Sequence, residues 1–284
     1  MSQRTQDAPE LVIRVAHSPD SDDAFMFYAL SQEKLDTGNL RFVHELSDIE
    51  SLNRRALKGE LEVSAVSIHA YAYLADDYAL LSSGSSMGER YGPRLVAREA
   101  TGKNLKGKTV AVPGEWTTAF LALKLYEPEV AHVVVPFDEI MGYVARGEAD
   151  VGLLIHEGQL THESQGFTLI EDLGEWWYRE TGLPLPLGGN VVRRDLGEET
   201  VREVARLTKA SIQYALDHRE EALAYALNYA RDLPPETADR FVSMYVNEWT
   251  LDYGETGREA VRTLLSYGYE AGVILHKVDV EFVG

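Results

Sequence analysis

Two passages of the chain carry an apolar run into a histidine: GELEVSAVSIHAY at 59–71 and GEADVGLLIHEG at 147–158. A free histidine titrates at about pH 6.5, so a modest change of surroundings makes it a base or an acid in neutral solution. His156 stands where the second run ends, and from there it could take a proton from a bound ligand. The plainer reading is a strand-end histidine bonded to backbone. Glu157 beside it projects to the other side if the strand continues, which makes it a poor orienting partner. In the first run, Ser67 could offer a hydroxyl to the same ligand, and His69 reads as structural.

Two strand-to-helix turns add further chemistry. VPGEWTTAF places Thr117 and Thr118 at the start of a helix after a Pro-Gly turn. Unpaired first-turn amides, the positive end of the helix dipole and two hydroxyls suit a carboxylate or a phosphate. A threonine N-cap explains the same residues without a ligand. HSPDSDDAF, residues 17–25, gathers Asp20, Asp22 and Asp23 with Ser18 and Ser21. Three aspartates could hold a divalent cation, but Asp and Ser also favour helix caps and first turns. Capping is the favoured reading for the group, with Ser18 and Asp22 assigned to ligand contact and no metal expected. Trp176 and Trp177, before the proline-rich LPLPLGGN, could wall a cleft or fill a core.

The elements that must hold these residues alternate. ELVIRVAHSPD reads as strand and turn, SDDAFMFYALSQEKL as an amphipathic helix, LRFVHELS as a strand, DIESLNRRALKGE as a helix and LEVSAVS as a strand; SSGSSMGERYGP reads as loop. The order then repeats through GKTVAVPG, EWTTAFLALKLY, EVAHVVVPF, DEIMGYVARGE and ADVGLLI, and the chain closes in helices, among them HREEALAYALNYAR. Strands alternating with helices of this length imply parallel βαβ units. Two similar α/β halves joined by two Pro/Gly-marked crossings imply a two-lobed cleft protein. Residues 1–96 with 190–284 are expected to form a first, discontinuous lobe, 97–189 an inserted second lobe, with hinges near 91–98 and 183–193. Ligands of open α/β sheets bind beyond the carboxyl ends of the strands, which puts 17–23, 64–69 and 155–157 in play together with the turn at 113–118.

Composition removes several classes. The 284 residues include 27 Lys and Arg against 46 Asp and Glu, a formal charge of −19 that argues against nucleic acid or an anionic membrane as partner. Cysteine is absent, which excludes disulfides, thiol nucleophiles and Cys-ligated metal. The N-terminal stretch has no leader-like apolar segment and no run approaches a membrane span, so a cytoplasmic protein is expected. The phosphate-loop, dinucleotide, nucleophile-elbow and zinc-protease motifs are missing.

Taken together, AHSPDSDDAFMFYAL, VPGEWTTAF, ADVGLLIHEG, DLGEWWYRETGLPLPLG and YVNEWTLDYGETG resemble the menaquinone-biosynthesis family of the futalosine route, over nearly the whole chain and in order. The resemblance implies the α/β, two-lobed fold of type II periplasmic binding proteins, with the ligand cleft between lobes. It implies a small-molecule substrate, cyclic dehypoxanthinyl futalosine, from which 1,4-dihydroxy-6-naphthoate is released by carbon–carbon cleavage without a cofactor. By the same resemblance His156 is the base, and Thr117, Thr118 and Ser67 bind substrate. The family can carry a lysine just before that serine; this chain has Ala65, so a cation would have to come from elsewhere, Arg90 or Arg94 being candidates. The alternatives are the sibling dehydratase that acts on chorismate and a non-catalytic solute-binding protein of the same fold.

Overall fold

The computed structural model describes residues 9–99, 102–230 and 234–284. The first eight residues, read above for a leader, and Arg231, at the end of an expected helix, lie outside them.

Strands run at Leu11–His17 (β1), Leu40–Leu46 (β2), Val63–Ser67 (β3), Tyr78–Leu81 (β4), Ser86–Gly88 (β5) and Arg94–Ala97 (β6). They continue at Thr109–Val112 (β7), Ala131–Val134 (β8), Val151–Leu154 (β9), Thr168–Asp172 (β10), Leu185–Arg193 (β11) and Phe282–Val283 (β12). They form two sheets. The larger has the order β12-β4-β11-β3-β1-β2, with β5 also on β11; the smaller has the order β10-β6-β9-β7-β8. β1 runs parallel to β2 and β3, and β7 parallel to β8 and β9, as expected for βαβ units. β11 is antiparallel to β3, and β6 to β9. The chain therefore passes from the large sheet to the small one between Gly88 and Arg94 and returns between Asp172 and Leu185. β3 and β9, VSAVS and VGLL, are buried throughout, the pattern of strands covered on both faces.

Two local expectations are corrected. SDDAFMFYALSQEKL is not one amphipathic helix but two short ones, Ser21–Met26 and Tyr28–Ser31, and residues 21–30 are all buried. The reason is tertiary: this segment is covered on its outer side by the helices Glu198–Asp217, Arg219–Ala226 and Pro235–Tyr245. Part of the expected loop SSGSSMGERYGP, Ser86–Gly88, is drawn into the large sheet by β11.

A single apolar cluster reaches from Val66, Tyr71 and Leu80 by the large sheet to Val110, Leu121 and Leu153 by the small one, with Trp177 among its fully buried members. Trp177 is thus core, and its indole N–H donates to the Pro184 carbonyl at 3.2 Å.

Candidate active site

A cavity of about 750 Å³, measured out to its open mouth, lies where the ends of strands from both sheets meet. Its wall includes all six residues assigned to the site from the sequence: Ser18, Asp22, Ser67, Thr117, Thr118 and His156. Asn190, Gln159, Phe241 and Tyr245 line it as well.

His156 departs from its expected geometry. β9 stops at Leu154, and His156 sits beyond it in a turn with φ of +54°. A left-handed conformation costs a side-chain-bearing residue about 1–2 kcal/mol, and such strain is tolerated where something else holds the residue. Here that partner is Asp20, from the turn after β1 in the other sheet, whose Oδ2 lies 2.8 Å from His156 Nδ1. The bond fixes the ring and leaves Nε2 for a ligand. Burial alone would lower the His156 pKa, but the Asp20 charge and hydrogen bond, followed by the charges of Glu157 and Asp22, raise it from 6.5 to about 9. His156 is thus an imidazolium at neutral pH, not the poised neutral base expected from its type alone.

The aspartate turn divides its labour. Asp20 occupies the N-cap position of Ser21–Met26 without a side-chain capping bond, which corrects the capping reading. Asp23 accepts from the Ser18 amide at 2.8 Å and the Ser18 hydroxyl at 2.7 Å; burial raises its pKa to about 6 against those two bonds. Asp22 is pushed well above the usual carboxylate range by burial first, then by Asp23 and Asp20. Among the described residues no group of three His, Asp or Glu side chains is arranged to hold a metal ion.

The threonine turn is more occupied than its sequence suggests. Thr117 Oγ1 accepts from the Phe120 amide at 3.1 Å and donates to Gly114 O at 2.8 Å, so it is the N-cap of the helix Thr118–Tyr126. Thr118 Oγ1 donates to Leu187 O at 2.6 Å and accepts from the His69 amide at 3.2 Å. What remains for an anion is the first-turn amides of Thr118 and Ala119, which have no intrahelical partner. Ser67 Oγ accepts from Asn53 Nδ2 at 3.1 Å, which leaves its proton to give. His69 packs on Phe120, and burial lowers its pKa to about 4, in keeping with the structural reading.

The two candidate cations are elsewhere. Arg90 lies on the Tyr178 ring, 4.3 Å from its centroid, and Arg94 is paired with Asp172 at 3.2 Å and donates to Gln159 O at 2.7 Å. Neither lines the cavity, nor does any lysine or arginine among the described residues.

Known proteins bear on this geometry. A family described as menaquinone biosynthesis matches residues 13–270. The chain belongs to that family. A Thermus thermophilus relative named 1,4-dihydroxy-6-naphthoate synthase is 41% identical over 261 residues, 92% of this chain and 95% of its own length. A solved protein of Archaeoglobus fulgidus is 47% identical, covering 93% of this chain and 98% of its own, with a TM-score of 0.89. The alkanesulfonate-binding protein of Xanthomonas axonopodis covers 95% of this chain and 96% of its own with a TM-score of 0.70 at 10% identity, a likeness of fold alone. The family member described here has the binding-protein-like α/β fold, as the resemblance implied.

Asp20 is the member of the site that local sequence did not single out, because its partner lies 136 positions away in another sheet. Asn190 stood inside a segment read as a crossing, and Tyr245 inside the helical tail. Tyr245 is buried and donates to Gln159 Oε1 at 2.8 Å, joining the helix Pro235–Tyr245 to the segment after β9.

Proposed function

We propose that the protein is a 1,4-dihydroxy-6-naphthoate synthase, a carbon–carbon lyase that cleaves cyclic dehypoxanthinyl futalosine without a cofactor. The observation that carries the reading is the His156–Asp20 pair set into the cavity of a chain whose curated relative bears that name. A buried carboxylate on Nδ1 holds the imidazole in the tautomer whose Nε2 can accept a proton. His156, once neutral, takes the proton from the substrate, and carbon–carbon cleavage follows, driven by formation of the aromatic naphthoate. Ser67 and the amides that open the helix Thr118–Tyr126 hold the naphthoate carboxylate with neutral donors, helped by the helix dipole. Phe241, Tyr245 and Ile155 exclude water.

The ligand is enclosed between two lobes, each built around one sheet. Because Arg94–Ala97 pairs in the small sheet and Leu185–Arg193 in the large one, their bounds differ from 1–96 with 190–284 and 97–189, and motion is about the crossings between Gly88 and Arg94 and between Asp172 and Leu185. The dyad is assembled as these lobes close, since each supplies one member.

The test is release of 1,4-dihydroxy-6-naphthoate from cyclic dehypoxanthinyl futalosine by the purified protein without added metal, followed by chromatography. Wild-type protein is expected to form product and His156→Ala to lose at least 1,000-fold in kcat, an order of magnitude within the range of a general base. Near-wild-type turnover by His156→Ala would remove the assignment of the base; no product from the wild type would remove the reaction.

A further inference from the structure

Asn190 is 1% exposed yet belongs to the cavity wall. Its amide nitrogen donates to Gly84 O at 2.9 Å. Gly84 has φ of +84° and approaches so closely that a Cβ there would strike that nitrogen. This contact settles which way the amide points, because the reversed rotamer would set two carbonyl oxygens against each other. Asn190 Oδ1, in a residue of the cavity wall, is then the free end of that amide, buried without a hydrogen-bond partner. A buried acceptor left without a partner is destabilising, and a ligand's donor removes that cost. Asp22 repeats the pattern: it lines the same cavity at 8% exposure, and its Oδ1 is buried without a partner.

Register places these acceptors relative to the donors. Asn190 lies opposite Ala65 and Gly188 opposite Ser67 on the β11–β3 pair. Alternation puts both pairs on one face, and two residues of strand separate them by about 6–7 Å. The cavity therefore has a donor pole at Ser67 and the start of the helix Thr118–Tyr126, and an acceptor pole at Asn190. A carboxylate, which can only accept, suits the first and is refused by the second. An alcohol hydroxyl suits the second.

We propose that Asn190 forms a subsite that receives a hydroxyl group of the sugar-derived part of the substrate, with Asp22 a second acceptor elsewhere on the same wall. This rests on the functional reading above and fixes the substrate's direction: the aromatic carboxylate lies at Ser67 and Thr117–Thr118, the polyhydroxylated part at Asn190.

Wild type and Asn190→Ala are assayed with cyclic dehypoxanthinyl futalosine and titrated calorimetrically with 2-naphthoate, which has the carboxylate and rings but no sugar. Asn190→Ala is expected to raise KM for the substrate tenfold or more while the 2-naphthoate Kd stays within twofold. An unchanged KM overturns the subsite, and so does equal weakening of both ligands, which would mark a merely structural residue. Should the variant not fold, D-ribose is tested as an inhibitor of the wild type: competition with substrate supports the subsite and its absence overturns it. If the wild type does not turn over the substrate, the functional reading fails separately. Direct titration with D-ribose then decides the subsite, with binding supporting it and no binding overturning it.

Discussion

At the scale of single residues, the site turns on a histidine whose charge is set by its neighbours. With a pKa of about 9, His156 must shed a proton before it can act as a base. kcat/KM reports the free enzyme, so it is expected to climb with pH and level off only near 9. Asp20→Asn removes the main raising influence and leaves burial, which lowers the pKa, opposed only by the charges of Glu157 and Asp22; the rising limb is expected to move to lower pH while the plateau falls. A rate profile in that variant that still levels off near 9 would deny Asp20 its part. Thr117 makes the opposite case, of a polar residue whose hydroxyl is spent on the fold. Thr117→Ala should cost about 1 kcal/mol as a lost N-cap, seen as a melting point lower by about 2–4 °C. The residue types at these positions were legible in the sequence. Their states were not: the left-handed turn at His156 follows from β9 ending at Leu154, and its ionisation follows from carboxylates gathered by two sheets.

At the scale of elements, several polar contacts cross the cleft. Besides His156 and Asp20, Glu50 Oε2 accepts from the Trp116 amide at 3.2 Å, the His69 amide donates to Thr118 Oγ1, and Tyr245 donates to Gln159. Tyr245→Phe leaves Gln159 Oε1 buried without that donor, a loss of about 1–3 kcal/mol that falls on the closed arrangement. The expected result is a rise in KM of about tenfold with kcat lowered less, measured by steady-state kinetics; unchanged constants would show that this contact does not help to close the cleft. Much of the element order could be read beforehand, because βαβ units announce themselves through hydrophobic runs spaced by turn residues. What escaped were the strands whose pairing is antiparallel and distant. β11 looked like a proline- and glycine-rich crossing and proved to be central to the large sheet, while β4 and β10, antiparallel to β11 and β6, fall outside the βαβ units that the sequence pattern marks. The buried pair of helices at 21–31 was misjudged for the same cause, since its outer cover comes from segments about 170–220 residues later.

At the scale of the whole molecule, the chain has a formal charge of −19 and the described wall of its cavity has no lysine or arginine, while the proposed substrate is an anion. The field of the protein therefore opposes the approach of substrate, and salt screens that field over about 10 Å at 0.1 M. kcat/KM is expected to rise severalfold between low and moderate ionic strength; a fall would mean that a cationic route leads into the cleft. The cluster shared by Val66, Leu80, Val110, Leu121 and Leu153 has a consequence of another kind. Each such side chain is worth about 1.5–3 kcal/mol in keeping away from water, and cutting the chain at its crossings would bare this seam on both halves at once. The two sheets are therefore not interchangeable cassettes: a chimera that grafts one of them from a distant relative inherits a mismatched seam, and the smallest unit that can be exchanged intact is the pair.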